Sequence, residues 1–153
     1  MASKIGKSVL LALLMVQGCS AAALQWEKPT VDVTGTWQGA SVTSCGAWTL
    51  VDHTRCGAVQ RISFTLFQDG ADVKGTYHCA IGTMVCRNLA DSGQVVSSSV
   101  TGSLARLRVM LSQDGSSCIF DGHFQAESGG GAFFCYQGGG LLEEGHWKVA
   151  RVF

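Results

Sequence analysis

Proline is almost absent from this chain of 153 residues. The single one, Pro29, sits near the start, so no later stretch is barred from a sheet by a missing backbone donor. Long apolar runs are equally scarce. Beyond residue 16 nothing is long and apolar enough for a membrane helix. Charge of one sign is missing too: Lys and Arg number 11, as do Asp and Glu. No basic stripe appears, and without Lys4 and Lys7 the chain is slightly acidic, which argues against nucleic acid as a partner. There is no Gly-x-Ser-x-Gly elbow and no carboxylate pair in an identifiable cleft; Glu143-Glu144 reads as a solvated turn before Gly145. The glycine runs 129–131 and 138–140 lack the following helix and the Lys of a phosphate cradle, so they read as turns.

What the chain does contain is alternation. Residues 62–68 and 71–79 alternate apolar and polar around Asp69-Gly70, a strong hairpin signal because tight turns need the positive φ that glycine supplies. With Asp69 and Gly70 as the turn, Leu66 faces Val73, Phe64 faces Gly75 and Ile62 faces Tyr77. All six share a dry face, while Ser63, Thr65, Lys74, Thr76 and His78 share a wet one. The device recurs at Asp114-Gly115, which sets Leu111 opposite Cys118, Val109 opposite Phe120 and Leu107 opposite Gly122. Arg106, Arg108, Asp121 and His123 then point outward. A further strand over 131–136 pairs Cys118 with Cys135, Phe120 with Phe133 and Gly122 with Gly131. About eight sequential strands, each with one wet face, predict an all-β antiparallel up-and-down barrel, with a β-sandwich as the alternative.

The first residues have the layout of an export signal: basic Lys4 and Lys7, the apolar run 9–16, then small residues. Val16-Gln17-Gly18-Cys19 resembles a bacterial lipobox, which implies cleavage before Cys19 and a lipid on its sulfur. The alternative is cleavage after Ala23, releasing a soluble periplasmic or secreted chain. Ser20 lacks the acidic character of an inner-membrane retention signal, so the resemblance implies an outer-membrane address facing the periplasm. Residues 1–18 are then the signal, 19–32 the lipidated Cys and tether, and 33–153 the domain. Six cysteines remain, and an oxidising compartment makes them disulfides, taken between neighbours as Cys45–Cys56, Cys79–Cys86 and Cys118–Cys135. Each would add about 2–3 kcal/mol by closing a short loop. Metal is not expected. The cysteines near His53 and His78 are better explained as disulfides, His78 and Cys79 point to opposite faces, and His123 and His146 face outward.

Gly35-Thr36-Trp37 resembles the Gly-x-Trp that opens the first strand of lipocalins and other calycin-type barrels. The resemblance implies that Trp37 closes one end of the barrel and that Arg151, near the end of the last strand, lies over its ring with hydrogen bonds to the first strand. With no nucleophile elbow and no carboxylate pair in a cleft, no catalytic residue and no cofactor is expected. Trp37, Ile62, Phe64, Leu66, Tyr77, Val109, Phe120, Phe124 and Phe133 would point inward, and Gly75 and Gly122 would either leave room for a ligand or relieve crowding. Two non-enzymatic functions follow. One is a carrier holding a small hydrophobic ligand against Phe64, Tyr77, Phe120, Phe124 and Phe133. The other is a filled barrel that binds an envelope protein through its surface, in the manner of inhibitor or scaffold barrels, with residues such as Trp26 or Trp48 exposed.

Overall fold

A computed structural model of the chain describes residues 27–44, 56–79, 92–111 and 115–153. The export signal, Cys19, Trp26, Cys45, Trp48, Leu50, His53, Cys86 and Asp114 lie outside them. Eight strands follow in order: β1 (Gly35–Thr43), β2 (Val59–Asp69), β3 (Asp72–Cys79), β4 (Ser92–Thr101), β5 (Leu104–Leu111), β6 (Ser117–Phe124), β7 (Ser128–Gln137) and β8 (Gly140–Val152). Each is antiparallel to its chain neighbours, and β8 returns to pair with β1, so the sheet closes into a barrel. That closing pair excludes the sandwich and leaves no sheet edge open. Burial alternates strictly along β5: Ala105, Leu107, Val109 and Leu111 are buried while Leu104, Arg106, Arg108 and Met110 are exposed. Period-two burial of this kind is what one dry face requires.

Both expected hairpin registers are displaced by two residues. In the first, Asp69 pairs with Asp72, Leu66 with Gly75, Phe64 with Tyr77 and Ile62 with Cys79, so Gly70 and Ala71 form the turn. An Asp69-Gly70 turn of the type the dipeptide favours would ask Asp69 to take positive φ. The observed turn places positive φ (+60°) on Gly70 alone. In the second hairpin Val109 pairs with Cys118, Leu107 with Phe120 and Ala105 with Gly122. Leu111 N–H donates to the Ser116 carbonyl at 3.0 Å, so the connection is longer than two residues. A displacement of two keeps every side chain on its face, which is why the inward and outward sets survive.

The third pairing stands as expected, with Cys118 opposite Cys135, Phe120 opposite Phe133 and Gly122 opposite Gly131, and the disulfide is formed with S–S 2.10 Å. Gly129 and Gly130, however, belong to β7 and do not make the turn before it; residues 125–127 do, with Gln125 N–H donating to the Ser128 carbonyl at 2.7 Å. The glycines are there because strands β6, β7 and β8 approach closely. A Cβ on Gly131 would stand 2.0 Å from the Asp121 carbonyl oxygen. β4 carries a bulge between Val95 and Ser99, where Ser97 takes φ +48° and the Ser98 hydroxyl accepts the Arg108 N–H at 2.7 Å. That hydroxyl supplies an acceptor where the ladder is interrupted.

Candidate functional site

The barrel has a closed base and a polar upper end, with an aromatic interior between them. Trp37, fully buried, forms the base. Its indole N–H donates to the Val33 carbonyl at 2.8 Å, and Phe124 meets it edge-on at 4.8 Å between centroids. The Arg151 guanidinium lies 4.6 Å from the Trp37 ring centroid and donates from Nη2 to the Asp32 carbonyl. The cation–π contact is the one the calycin resemblance implies, though the side-chain hydrogen bond goes to the residues just before β1 and not to β1 itself. Those residues are stitched across the base. Thr30 N–H donates to the Gly102 carbonyl at 2.8 Å, and Val33 N–H donates to Gln68 Oε1 at 2.9 Å. Hydrogen bonds from Thr34, first its hydroxyl and then its amide, hold the Asp32 carboxyl below its ordinary range, with Arg151 adding a smaller pull.

Above Trp37 the rings run without a break. Phe124 lies 5.5 Å from Trp147, Trp147 lies 6.0 Å from Phe64, and Phe64 lies 5.1 Å from Phe120. Phe120 in turn touches Tyr77 at 5.6 Å and Phe133 at 5.7 Å. These are the separations at which aromatic pairs attract. All five residues expected to line a ligand cavity are therefore packed on one another or on the two tryptophans. Trp147 was not among the expected interior residues. Its indole N–H is shared between the Ala132 and Asp121 carbonyls at 3.0 and 3.3 Å. The inward glycines relieve crowding and leave no space: a Cβ on Gly122 would stand 2.3 Å from the Gly130 carbonyl oxygen and 2.7 Å from Trp147, and one on Gly75 would stand 2.0 Å from the Thr65 carbonyl oxygen.

At the upper end the interior turns polar. Glu143, expected in a solvated turn, is an inward residue of β8 and is 1% exposed. Its Oε1 accepts the Thr43 hydroxyl at 2.5 Å and the Gln60 amide N–H at 3.2 Å. Both donors are themselves buried, which is what burying a carboxylate demands. Burial, and after it the Glu143 charge, pushes the Tyr77 phenol far above its ordinary range. Cys79 is disulfide-bonded, so the 3.0 Å between its Sγ and Gln60 Oε1 is a sulfur–oxygen contact without a proton. The signal for Glu143 was present in the sequence: Val149, Trp147, Gly145 and Glu143 are spaced by two, and the first two belong inside.

Cys118 and Cys135 are both 2% exposed and face inward beside this polar storey. Cys56 is half-buried at the start of the segment leading into β2. His78, His123 and His146 are exposed on the outer wall, and Ser103 Oγ lies 3.1 Å from His123 Nδ1. Among the described residues no three His, Cys, Asp or Glu side chains are placed to hold a metal ion. No protein-family model, no curated protein and no solved structure matches the chain.

Proposed function

We propose that the chain is a non-enzymatic lipoprotein of the bacterial cell envelope, anchored through Cys19 in the outer membrane and facing the periplasm, that binds another envelope protein through its outer surface. One observation carries the choice between the two functions drawn from the sequence. The rings from Trp37 to Tyr77 touch one another in sequence up the axis, so the space a small hydrophobic ligand would need is occupied by side chains. A barrel filled in this way offers a partner its walls and rims.

The outer wall of β1 to β3 supports the reading. Val42 and Val59 are cross-strand neighbours there, 41% and 58% exposed. Beside them runs a groove of about 610 Å³ bordered by Gln38, Ala40, Arg61, Ser63 and His78. Val59 lines the upper end of this groove and most of its other exposed side chains are polar, a mixture within the ordinary make-up of a non-obligate protein contact.

The test is the mass of the protein isolated from its own envelope, first under native and then under denaturing conditions. The expected result is a chain starting at Cys19 with a diacylglyceryl-plus-acyl increment that survives denaturation, and no further small molecule in the native spectrum. A native-only increment matching an apolar small molecule would restore the carrier. A chain starting at Leu24 would remove the anchor. A photo-crosslinker at position 59 should capture a partner that one at position 108, on the far wall, does not.

A further inference from the structure

We propose that the base of the barrel rests on the bilayer that holds the lipid anchor, through a rim of exposed apolar side chains, with the upper end directed away. The inference rests on the reading that Cys19 carries lipid. Phe67, Leu104, Val152 and Phe153 are 52%, 48%, 44% and 95% exposed. All four belong to the base. Phe67 pairs with Lys74 just before the Gly70–Ala71 turn, Leu104 follows the Gly102–Ser103 turn, and Val152 pairs with Thr36 at the start of β1, with Phe153 one residue beyond. The upper end has Val42, Val59 and Met110 as its exposed large apolar residues among those described, and no ring among them.

The path of the chain decides which end faces the membrane. Residues 30–33 are bonded across the base, and Glu27 lies against Gly102 there. Glu27 is the eighth residue after Cys19. A fully extended chain gains at most about 3.5 Å per residue, so the anchor is within about 28 Å of the base. β2 spans 11 residues; at about 3.3 Å per residue and a tilt of about 40° that makes the wall about 28 Å tall. Turning the upper end to the bilayer would stretch the whole tether along the wall. Base-down, the same tether is slack, and the rim can sink into the interface.

The base carries both signs of charge with an acidic excess, Glu27, Asp32, Asp69, Asp72 and Glu127 against Lys28, Lys74 and Arg151. The contact is therefore apolar and not an attraction to anionic headgroups. Lys74 Nζ lies 5.3 Å from the Phe67 ring centroid. A lysine beside an exposed ring can keep its ammonium at the headgroups while its stem and the ring lie deeper.

The experiment uses the full lipidated chain in vesicles of phosphatidylethanolamine and phosphatidylglycerol. A solvatochromic amino acid replaces Phe153, Leu104 or Val59 in turn, and nitroxide-labelled lipids quench it. Quenching at 153 and 104 should exceed that at 59 by about threefold or more, with a blue-shifted emission, because interfacial side chains sit only about 5–10 Å deep. High salt should not lower the ratio, because screening only relieves the repulsion between the acidic base and phosphatidylglycerol. Equal quenching at the three positions, stronger quenching at 59, or a ratio that collapses in salt would overturn the docking while leaving the anchor intact. A mass spectrum without lipid on Cys19 would overturn both together.

Discussion

Truncating Phe120 to alanine separates a filled barrel from a ligand-holding one. The ring is 2% exposed and sits within 6.1 Å, centroid to centroid, of Phe64, Tyr77, Phe133 and Trp147. Losing the transfer free energy of a buried aromatic side chain costs about 2 kcal/mol. The neighbours are themselves large rings that can collapse only in part, so a void on the order of 100 Å³ remains, and at about 24 cal/mol per Å³ it adds about 2.4 kcal/mol. Phe120→Ala should therefore destabilise by about 4 kcal/mol, which for a domain of this length lowers the melting temperature by about 10–20 °C. Urea denaturation followed by circular dichroism measures the first quantity and calorimetry the second. The void would be apolar and dry, so the variant should gain affinity for benzene-sized molecules, read as a rise in melting temperature when they are added, while the native protein does not respond. A loss below about 1 kcal/mol would refute the reasoning, because it would mean that Phe120 already borders empty space. A native protein stabilised by the same small molecules would refute it independently.

Three further outcomes follow from contacts elsewhere. Gly131→Ala should cost about 3 kcal/mol or prevent folding, since its Cβ would lie 2.0 Å from the Asp121 carbonyl oxygen, whereas Gly140→Ala, with nothing nearer than 3.6 Å, should stay within about 0.5 kcal/mol; equal denaturation midpoints would refute the close packing of β6 and β7. The raised Tyr77 phenol keeps its proton in the fold at pH values where the unfolded chain has lost it, so its contribution is full below about pH 10 and falls by about 1.4 kcal/mol per pH unit above that. Tyr77→Phe should flatten this alkaline decline, and identical slopes in native and variant protein would exclude the buried phenol as its source. Replacing Cys118 and Cys135 together by alanine opens a link with a sequence separation of 17 and should cost about 3 kcal/mol, measured against the native protein without reductant; an unchanged midpoint would mean that the cross-link does not constrain the unfolded chain.

Alternation along the strands was legible because it is local. Side chains at i and i+2 share a face whatever the partner strand, so Phe64, Leu66, Val109, Phe120 and Phe133 could be placed inside from the chain alone. The same locality explains the pairing of Cys118 with Cys135, where the dry face, the cysteines and the glycine pair agreed on one register. The base was readable in part: Trp37 and Arg151 meet, but the segment 27–32 reads as tether until its hydrogen bonds to Gly102 and Arg151 are seen.

Three things could not be read from alternation alone. Hairpin register turned on which residue could take positive φ at a two-residue turn, and on a connection after Leu111 longer than its dipeptide signal suggests. The glycines of β6 and β7 looked like turns or open space because only the neighbouring backbone, about one atom's width away, shows why a Cβ is excluded. Glu143 looked like solvated surface because a carboxylate is stable inside a barrel only if donors arrive from other strands, and Thr43 and Gln60 stand 100 and 83 residues away from it in sequence. Period-two patterning selects the face of each strand; closure of β8 on β1 decides what that face meets, and with it whether the interior is a cavity or a packed column of rings.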